Sequence, residues 1–286
     1  MPDQELPVRV ITPHDGLDAF TDATRSIVRD WRFTRELAWR MFVRDTVATF
    51  RGSFLGALWL VLPALANSLV WVFLSGTNVV SISSGATPYP LFVFVGTLVW
   101  TAFNGSLFAA LGCVEEAKGT LAKVNFPQET LVLVAVGKSV LNVVVTAVCL
   151  VPFLMLYPVK PHLGMWLFPL GVLVTLISGT AFGLILVPIA ALFSDLGRAI
   201  NLGMRFVFFL TPVIFPLPVS GTGRMLMLWN PATTLVVTTR SWLLGGETAM
   251  TGSFLVVGFV SVVLLFVGTL ALKVALPHIV ERMGGG

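Results

Sequence analysis

The sequence predicts an all-α membrane protein with six transmembrane helices, an amphipathic interfacial helix before the first and short re-entrant helices before the last. Three observations carry that expectation. Charged residues make up 11% of the 286 positions and hydrophobic ones 56%, whereas a water-soluble domain holds about 25% charged residues. That is too little charge to cover a surface facing water. Several apolar runs reach the ~20 residues a helix needs to cross the hydrocarbon core. Mean hydropathy is +0.91, and the charges fall in short islands between those runs.

Residues 1–24 are polar and mostly acidic, with Pro2, Pro7, Pro13 and Gly16. No basic stretch leads into a short apolar core there, so the segment reads as a loosely ordered cytoplasmic extension and not as a cleaved signal peptide. Residues 25–51 follow as an amphipathic helix. Arg25, Arg29, Arg32, Glu36, Arg40, Arg44 and Arg51 share one stripe, with Trp31, Ala38, Met41, Phe42 and Ala48 opposite. A basic stripe backed by large aromatics suits a helix lying in the headgroup layer. Packing on a soluble domain would leave the same pattern, but the sequence holds no soluble domain.

Spans are expected at about 54–74, 91–114, 131–157, 166–193, 200–215 and 254–276, within one transmembrane domain covering 52–286. Pro63 and then Asn67-Ser68 interrupt the first. Pro88-Tyr89-Pro90 opens the second, and Pro158-Val159-Lys160-Pro161-His162 turns the third into the fourth. Ser194-Asp195-Leu196-Gly197-Arg198 makes a second tight turn, and Pro277 is expected to end the last span. Residues 217–250 are a re-entrant region. Their two moderately apolar pieces are split by Asn230-Pro231 and interrupted by threonines and Arg240. Apolar pieces of ~10–14 residues are more often re-entrant than spanning.

Charge placement orients the six spans. Counting along the sequence, the inner side receives 13 of the 18 lysines and arginines, against Lys160, Arg224 and Arg240 outside. Lysine and arginine favour the cytoplasmic side, so both termini are expected inside. A seventh span would carry Lys273 and Arg282 outward and fits less well. Lys138 and Arg205 fall within spans. Lys138 is placed to snorkel to the inner face. Arg205 is open between that reading and a functional intramembrane charge.

The second and third spans enclose the most informative stretch, Glu115-Glu116-Ala117-Lys118-Gly119-Thr120-Leu121-Ala122-Lys123-Val124-Asn125-Phe126-Pro127-Gln128-Glu129. Its first half favours a helix, and the missing N–H and ring of Pro127 end or kink it. A short helix held between two spans gives something outside the bilayer a means to move both. A solvated loop would look the same in isolation.

Catalytic chemistry has little support. No Walker A spacing is present, and Ala117-Lys118-Gly119-Thr120 lacks the glycines that cradle phosphates. His14, His162 and His278 lie far apart in polar margins. Cys113 and Cys149 have no metal-like spacing and fall towards opposite faces. No acidic pair sits within a span to act as acid and base. Net charge is +4 and is accounted for by basic loops at a membrane face, leaving nucleic acid without a case as partner. Trp71, Phe73, Tyr89, Phe92, Phe94, Trp100 and Phe103 crowd the outer half of the first two spans. An interfacial aromatic belt explains them, and so does a path on which sugars stack. Gly52-x-x-x-Gly56 and Gly179-x-x-x-Gly183 allow close helix approach, within the subunit or across a dimer.

Five pieces in order then resemble one family. Arg44-Asp45, followed by Phe50-Arg51-Gly52-Ser53-Phe54-Leu55-Gly56-Ala57-Leu58-Trp59 and Pro63, resembles the start of the first span in type-2 ABC exporter permeases. The nearest branch exports O-antigen, capsule and teichoic-acid-type polysaccharides. Lys123-Val124-Asn125-Phe126-Pro127 is similar to that family's Lys-x-x-Phe-Pro element after the coupling helix. Asp195-Leu196-Gly197-Arg198, Thr211-Pro212-Val213-Ile214-Phe215-Pro216 and Trp229-Asn230-Pro231 resemble its second inner turn, fifth-span exit and outer re-entrant region. Phe50 stands where the family often has tyrosine. The resemblance covers about residues 28–282.

The resemblance implies a homodimer of six-span subunits in a bacterial cytoplasmic (inner) membrane, above two copies of a separate ATP-binding subunit. This chain would bind no cofactor, and ATP and magnesium would belong to the partner. Glu115, Glu116, Lys118, Gly119, Leu121, Lys123 and Phe126 would form the coupling segment, with Arg29, Arg32, Arg40 and Arg44 as the second ATPase contact. A channel between subunits, lined largely by the first and fifth spans, would pass a lipid-linked glycan, with Trp59, Phe73, Trp100, Phe103 and Arg205 as candidate lining residues. A drug or lipid exporter of the same superfamily, an ion-coupled secondary transporter and a membrane-embedded transferase are the competing readings.

Overall fold

The computed structural model of the chain describes residues 31–51, 56, 58–76, 87–121, 126–193, 195–246 and 250–284. Among them the regular elements are α1 (Trp31–Phe50), α2 (Leu58–Gly76), α3 (Tyr89–Leu111), α4 (Cys113–Leu121), α5 (Glu129–Leu156), a 3-10 turn (Leu163–Leu167), α6 (Phe168–Leu192), α7 (Leu196–Phe209), α8 (Thr222–Trp229), α9 (Pro231–Leu244) and α10 (Thr251–Gly284). Among the described residues, four segments are long and apolar enough to cross a membrane. They are Tyr89–Leu121, Glu129–Leu156, Leu163–Leu192 and Thr251–Leu276, at the positions expected for the second, third, fourth and last spans.

α3 is the axis of the bundle. Residues 91–100 are buried without a break, which is what an all-round apolar helix requires. α6 packs along one side of it, α5 along another, and α2 lies against both α3 and α5. The α3–α6 approach depends on two glycines. A Cβ on Gly179 would collide with the Phe103 carbonyl and Ser106 Oγ, and one on Gly183 with the Leu107 carbonyl. That pair therefore serves contact within the subunit. α10 closes the far side of α6, where Ser261 Oγ donates to Ser178 Oγ at 2.8 Å. Apolar residues on the outer faces of α5 and α10, such as Val148, Met155, Phe259 and Phe266, stay exposed.

Several expected boundaries change. The amphipathic helix is described from Trp31 only, and its buried stripe is Thr34, Ala38 and Met41, facing α5. Phe42 covers Gly137 of α5, whereas Trp31 and Ala48, expected on the packed side, are exposed. The expected first span is represented by the 19 residues of α2. In place of a span at 200–215, α7 starts at Leu196 and stops after 14 residues. At ~1.5 Å per residue that is roughly 21 Å, short of the ~30 Å hydrocarbon core. Pro212 disfavours helix at the residue before it, and Val213 N–H turns back to the Thr211 carbonyl at 2.7 Å. Pro277 does not end the last helix, which runs on to Gly284; its missing N–H costs one bond in a helix of 34 residues.

The stretch expected to be re-entrant, 217–250, divides unequally. α8 has no buried residue, whereas α9 is enclosed by α3, α6, α10 and the 3-10 turn. Asn230 begins α9: its Oδ1 accepts the Ala232 N–H at 3.0 Å, with Pro231 at the first helical position.

Candidate functional site

The charged island folds as an extension of α3. Gly112 alone separates α3 from α4, its N–H bonding the Phe108 carbonyl at 2.9 Å and its carbonyl accepting from Glu116 N–H at 3.0 Å. The run Tyr89–Leu121 spans 33 residues. At ~1.5 Å per residue this is roughly 50 Å, so its last turns project beyond a ~30 Å core. Sequence reasoning expected a separate short helix, and the finding is a lever continuous with a span.

α4 is amphipathic over its nine residues. Cys113, Val114 and Ala117 are buried, and Glu115, Glu116, Lys118 and Gly119 face outward. Leu121 packs partly against the cluster beneath, and Phe126 of the returning chain is buried in the same cluster with Ala38, Met41 and Leu131. Arg32, Arg40 and Arg44 are exposed on α1, with Arg40 paired to Glu36 and Arg44 to Asp45 Oδ1 at 2.9 Å. Arg29 and Lys123 lie outside the described residues.

Two lysines bind this end together. Lys138 of α5 places Nζ 2.7 Å from Glu116 Oε2 and 3.2 Å from Asp45 Oδ2. It thereby joins α4, α1 and α5 at one point. Lys273 of α10 donates to Glu129 Oε1, at the base of α5, at 2.6 Å. Asp45, Glu129, Lys138 and Lys273 were not expected as site residues. Lys138 and Lys273 are lone charges within or at the end of apolar runs, Glu129 closes the charged island and Asp45 belongs to the Arg44-Asp45 pair; none of this signals their partners.

The channel candidates scatter. Trp59 and Phe73 on α2 are exposed, at 57% and 69% of their surface. Phe103 is 5% exposed and packs edge-on against Phe182. Trp100 is buried against Phe208, yet it borders a groove of about 350 Å³ between α3 and α7 together with Asn104, Asn201, Arg205 and Phe209. Arg205 and Trp100 are thus brought together. A second cavity, about 540 Å³, lies between α2, α3 and α5. Trp59, Thr97, Thr101, Lys138, Asn142 and Thr146 are among its walls, and among the described residues Lys138 is the one charged side chain lining it.

At the opposite end of the bundle, Arg240 of α9 is 5% exposed. Sequence reasoning left it on the outer side, within the expected re-entrant region. Its Nη1 donates to the Pro212 and Val213 carbonyls at 2.9 and 3.0 Å, and its guanidinium carbon stands 3.6 Å over the Phe92 ring. Tyr89 Oη donates to the Ile214 carbonyl at 3.0 Å, and Asn230 Nδ2 to Thr211 Oγ1 at 2.8 Å. The turn after α7 is therefore held by α3 and α9 at four consecutive residues.

Comparison with known proteins finds relatives over most of the chain. The chain is 32% identical over 213 residues to the O-antigen export system permease protein RfbA of Myxococcus xanthus, covering 73% of this chain and 81% of that one. Two proteins of the same name from Klebsiella pneumoniae are 24% and 22% identical over 206 residues, 71% of this chain and 78% of each. No family model matches the chain. At that identity and coverage, and with the four spans and the projecting helix in register with the motifs quoted above, the chain belongs to the O-antigen export permeases, the polysaccharide branch of the type-2 ABC exporter permeases.

Proposed function

We propose that this chain is the transmembrane subunit of an ATP-driven exporter that moves lipid-linked polysaccharide across a bacterial inner membrane. Two copies form the channel, lined by α2 as the first of six spans and by the fifth, in which α7 is continued by the non-helical turn after it. Both termini face the cytoplasm. Two copies of a separate ATP-binding subunit, holding ATP and magnesium, dock below. The relatives' names support the cargo class. The observation that carries the mechanism is α4, an outward-facing charged helix continuous with the most enclosed span. Force on Glu115, Lys118 and Gly119 acts directly on α3. Arg32, Arg40 and Arg44 of α1 offer the second contact; Arg29 and Lys123, outside the described residues, are assigned to the same two contacts from the sequence alone. Trp59, Phe73 and Arg205 are exposed on the two helices assigned to the channel, and Trp100 meets it at the groove edge.

The test is affinity purification of the chain from its native membrane in mild detergent. A Cβ at Gly119 meets no atom within 4 Å, so Gly119→Asp changes the docking face without disturbing the fold. The expected result is a stoichiometric ATP-binding subunit with the parent chain and its loss from the variant. Recovery of the chain alone, under conditions that preserve other complexes, refutes the reading and points to ion-driven transport.

A further inference from the structure

The segment from α4 to the start of α5 is bracketed by two ion pairs. Glu116, near its beginning, is bonded to Lys138 of α5; Glu129, at its end, is bonded to Lys273 of α10. We propose that Lys138 is the positioning residue for coupling. It carries a displacement of α4 into α5 and α1 together, while Lys273 and Glu129 hold the base of α5 against α10 as the fixed end. This inference rests on the proposed export function and names the part of the chain that transmits it.

Three observations support it. First, α4 has a weak apolar grip. Its buried residues are only Cys113, Val114 and Ala117, and small side chains resist rotation poorly. The Glu116–Lys138 bond is the strong lateral tie on α4 among the described residues. Second, Lys138 lies nine residues into α5, about 13 Å along the helix axis. A lysine that needed only water would extend to solvent alone. This one divides its ammonium donors between carboxylates of two other elements, Glu116 at 2.7 Å and Asp45 at 3.2 Å. Partly buried ion pairs add little net stability over apolar replacements, so holding a register is the better account of a three-element junction. Third, Lys138 also lines the cavity between α2, α3 and α5. A shift of α4 therefore changes the wall of an internal space through a single side chain.

The experiment uses the full chain with its ATP-binding subunit in proteoliposomes, comparing the parent, Lys138→Met and Lys138→Arg. Lys138→Met should co-purify with the partner at parental stoichiometry while glycan exported per ATP hydrolysed falls about 10-fold, within the factors of about 5–150 typical of coupling between sites. Lys138→Arg should retain most of that ratio. Unchanged export per ATP in Lys138→Met overturns the proposal. So does loss of the ATP-binding subunit, because the residue would then serve docking. A second arm needs no partner. Spin labels at Lys118 and Val140, both exposed, should give a narrow distance distribution in the parent and a broad one in Lys138→Met. An unchanged distribution overturns the junction itself, whereas a parent chain that captures no ATP-binding subunit refutes the export reading and leaves this arm standing.

Discussion

Replacing Arg240 with methionine tests the bracing of the α7 turn. Methionine has similar length and no charge, so it isolates the polar part of the clamp. The change leaves the Pro212 and Val213 carbonyls, 2.9 and 3.0 Å from Nη1, without that donor. Each orphaned buried group costs about 1–3 kcal/mol, roughly 2–6 kcal/mol for the two. Losing the cation over Phe92, 3.6 Å from the ring centroid, removes about 2 kcal/mol more at a desolvated site. Against this, no guanidinium need be buried, which recovers several kcal/mol. The balance is a net loss of roughly 2 kcal/mol, or about 4–8 °C in apparent Tm for a chain of this size. Hydrogen exchange should localise the loss to the amides of Val213 and Ile214. Gly96→Ala provides a check free of the desolvation term. Its Cβ would collide with the Val213 carbonyl, pushing the same turn outward. A methionine variant as stable as the parent, with unchanged exchange at 213–214, would show that desolvation outweighs the bonds and refute the bracing argument.

Two further outcomes follow from the packing. Gly179→Val should prevent close approach of α3 and α6, because the added atoms fall on the Phe103 carbonyl and Ser106 Oγ. Folded yield in detergent, read by size-exclusion profile, should collapse, while Gly119→Ala stays within about ±0.5 kcal/mol of the parent. Lys273→Met alone should destabilise by roughly 3 kcal/mol, since it strands the mostly buried Glu129. Adding Glu129→Leu should recover most of that loss. A double variant no better than the single one would mean that the pair is not the relevant contact.

The long apolar runs were legible because a bilayer demands both length and continuity, and four of the six expected spans stand within a few residues of the observed segments. The helix in the 200–215 stretch starts and stops earlier than expected, for a physical reason. α7 alternates Ile200, Met204, Val207 and Phe208 on its packed face with Arg198, Asn201, Arg205 and Phe209 on the other, so its mean apolarity hid a short amphipathic helix. Proline was over-weighted at Pro277, which lies inside a continuous helix, as Pro152 and Pro188 do within the expected third and fourth spans; each forfeits one bond of a long helix.

The site was legible in its surface and not in its connections. Glu115, Lys118 and Gly119 could be read as an outward face because the island is polar between two spans. The partners of Lys138 could not, since Glu116 lies 22 positions away and Asp45 still further along the sequence. Lys273 and Glu129 are 144 positions apart. Such pairs exist only once helix order and depth are set. Snorkelling predicted that Lys138 would reach towards the end of the bundle where α4 lies, but water and carboxylates satisfy that tendency equally. Choosing between them requires knowing that α1 packs on α5 through Thr34, Ala38 and Met41, which brings Asp45, one turn further along that stripe, over Lys138. The same reasoning accounts for Arg240. An arginine among threonines looks like a loop residue until α9 is enclosed by three helices, and then the carbonyls of a proline-broken turn become the donor's natural partners.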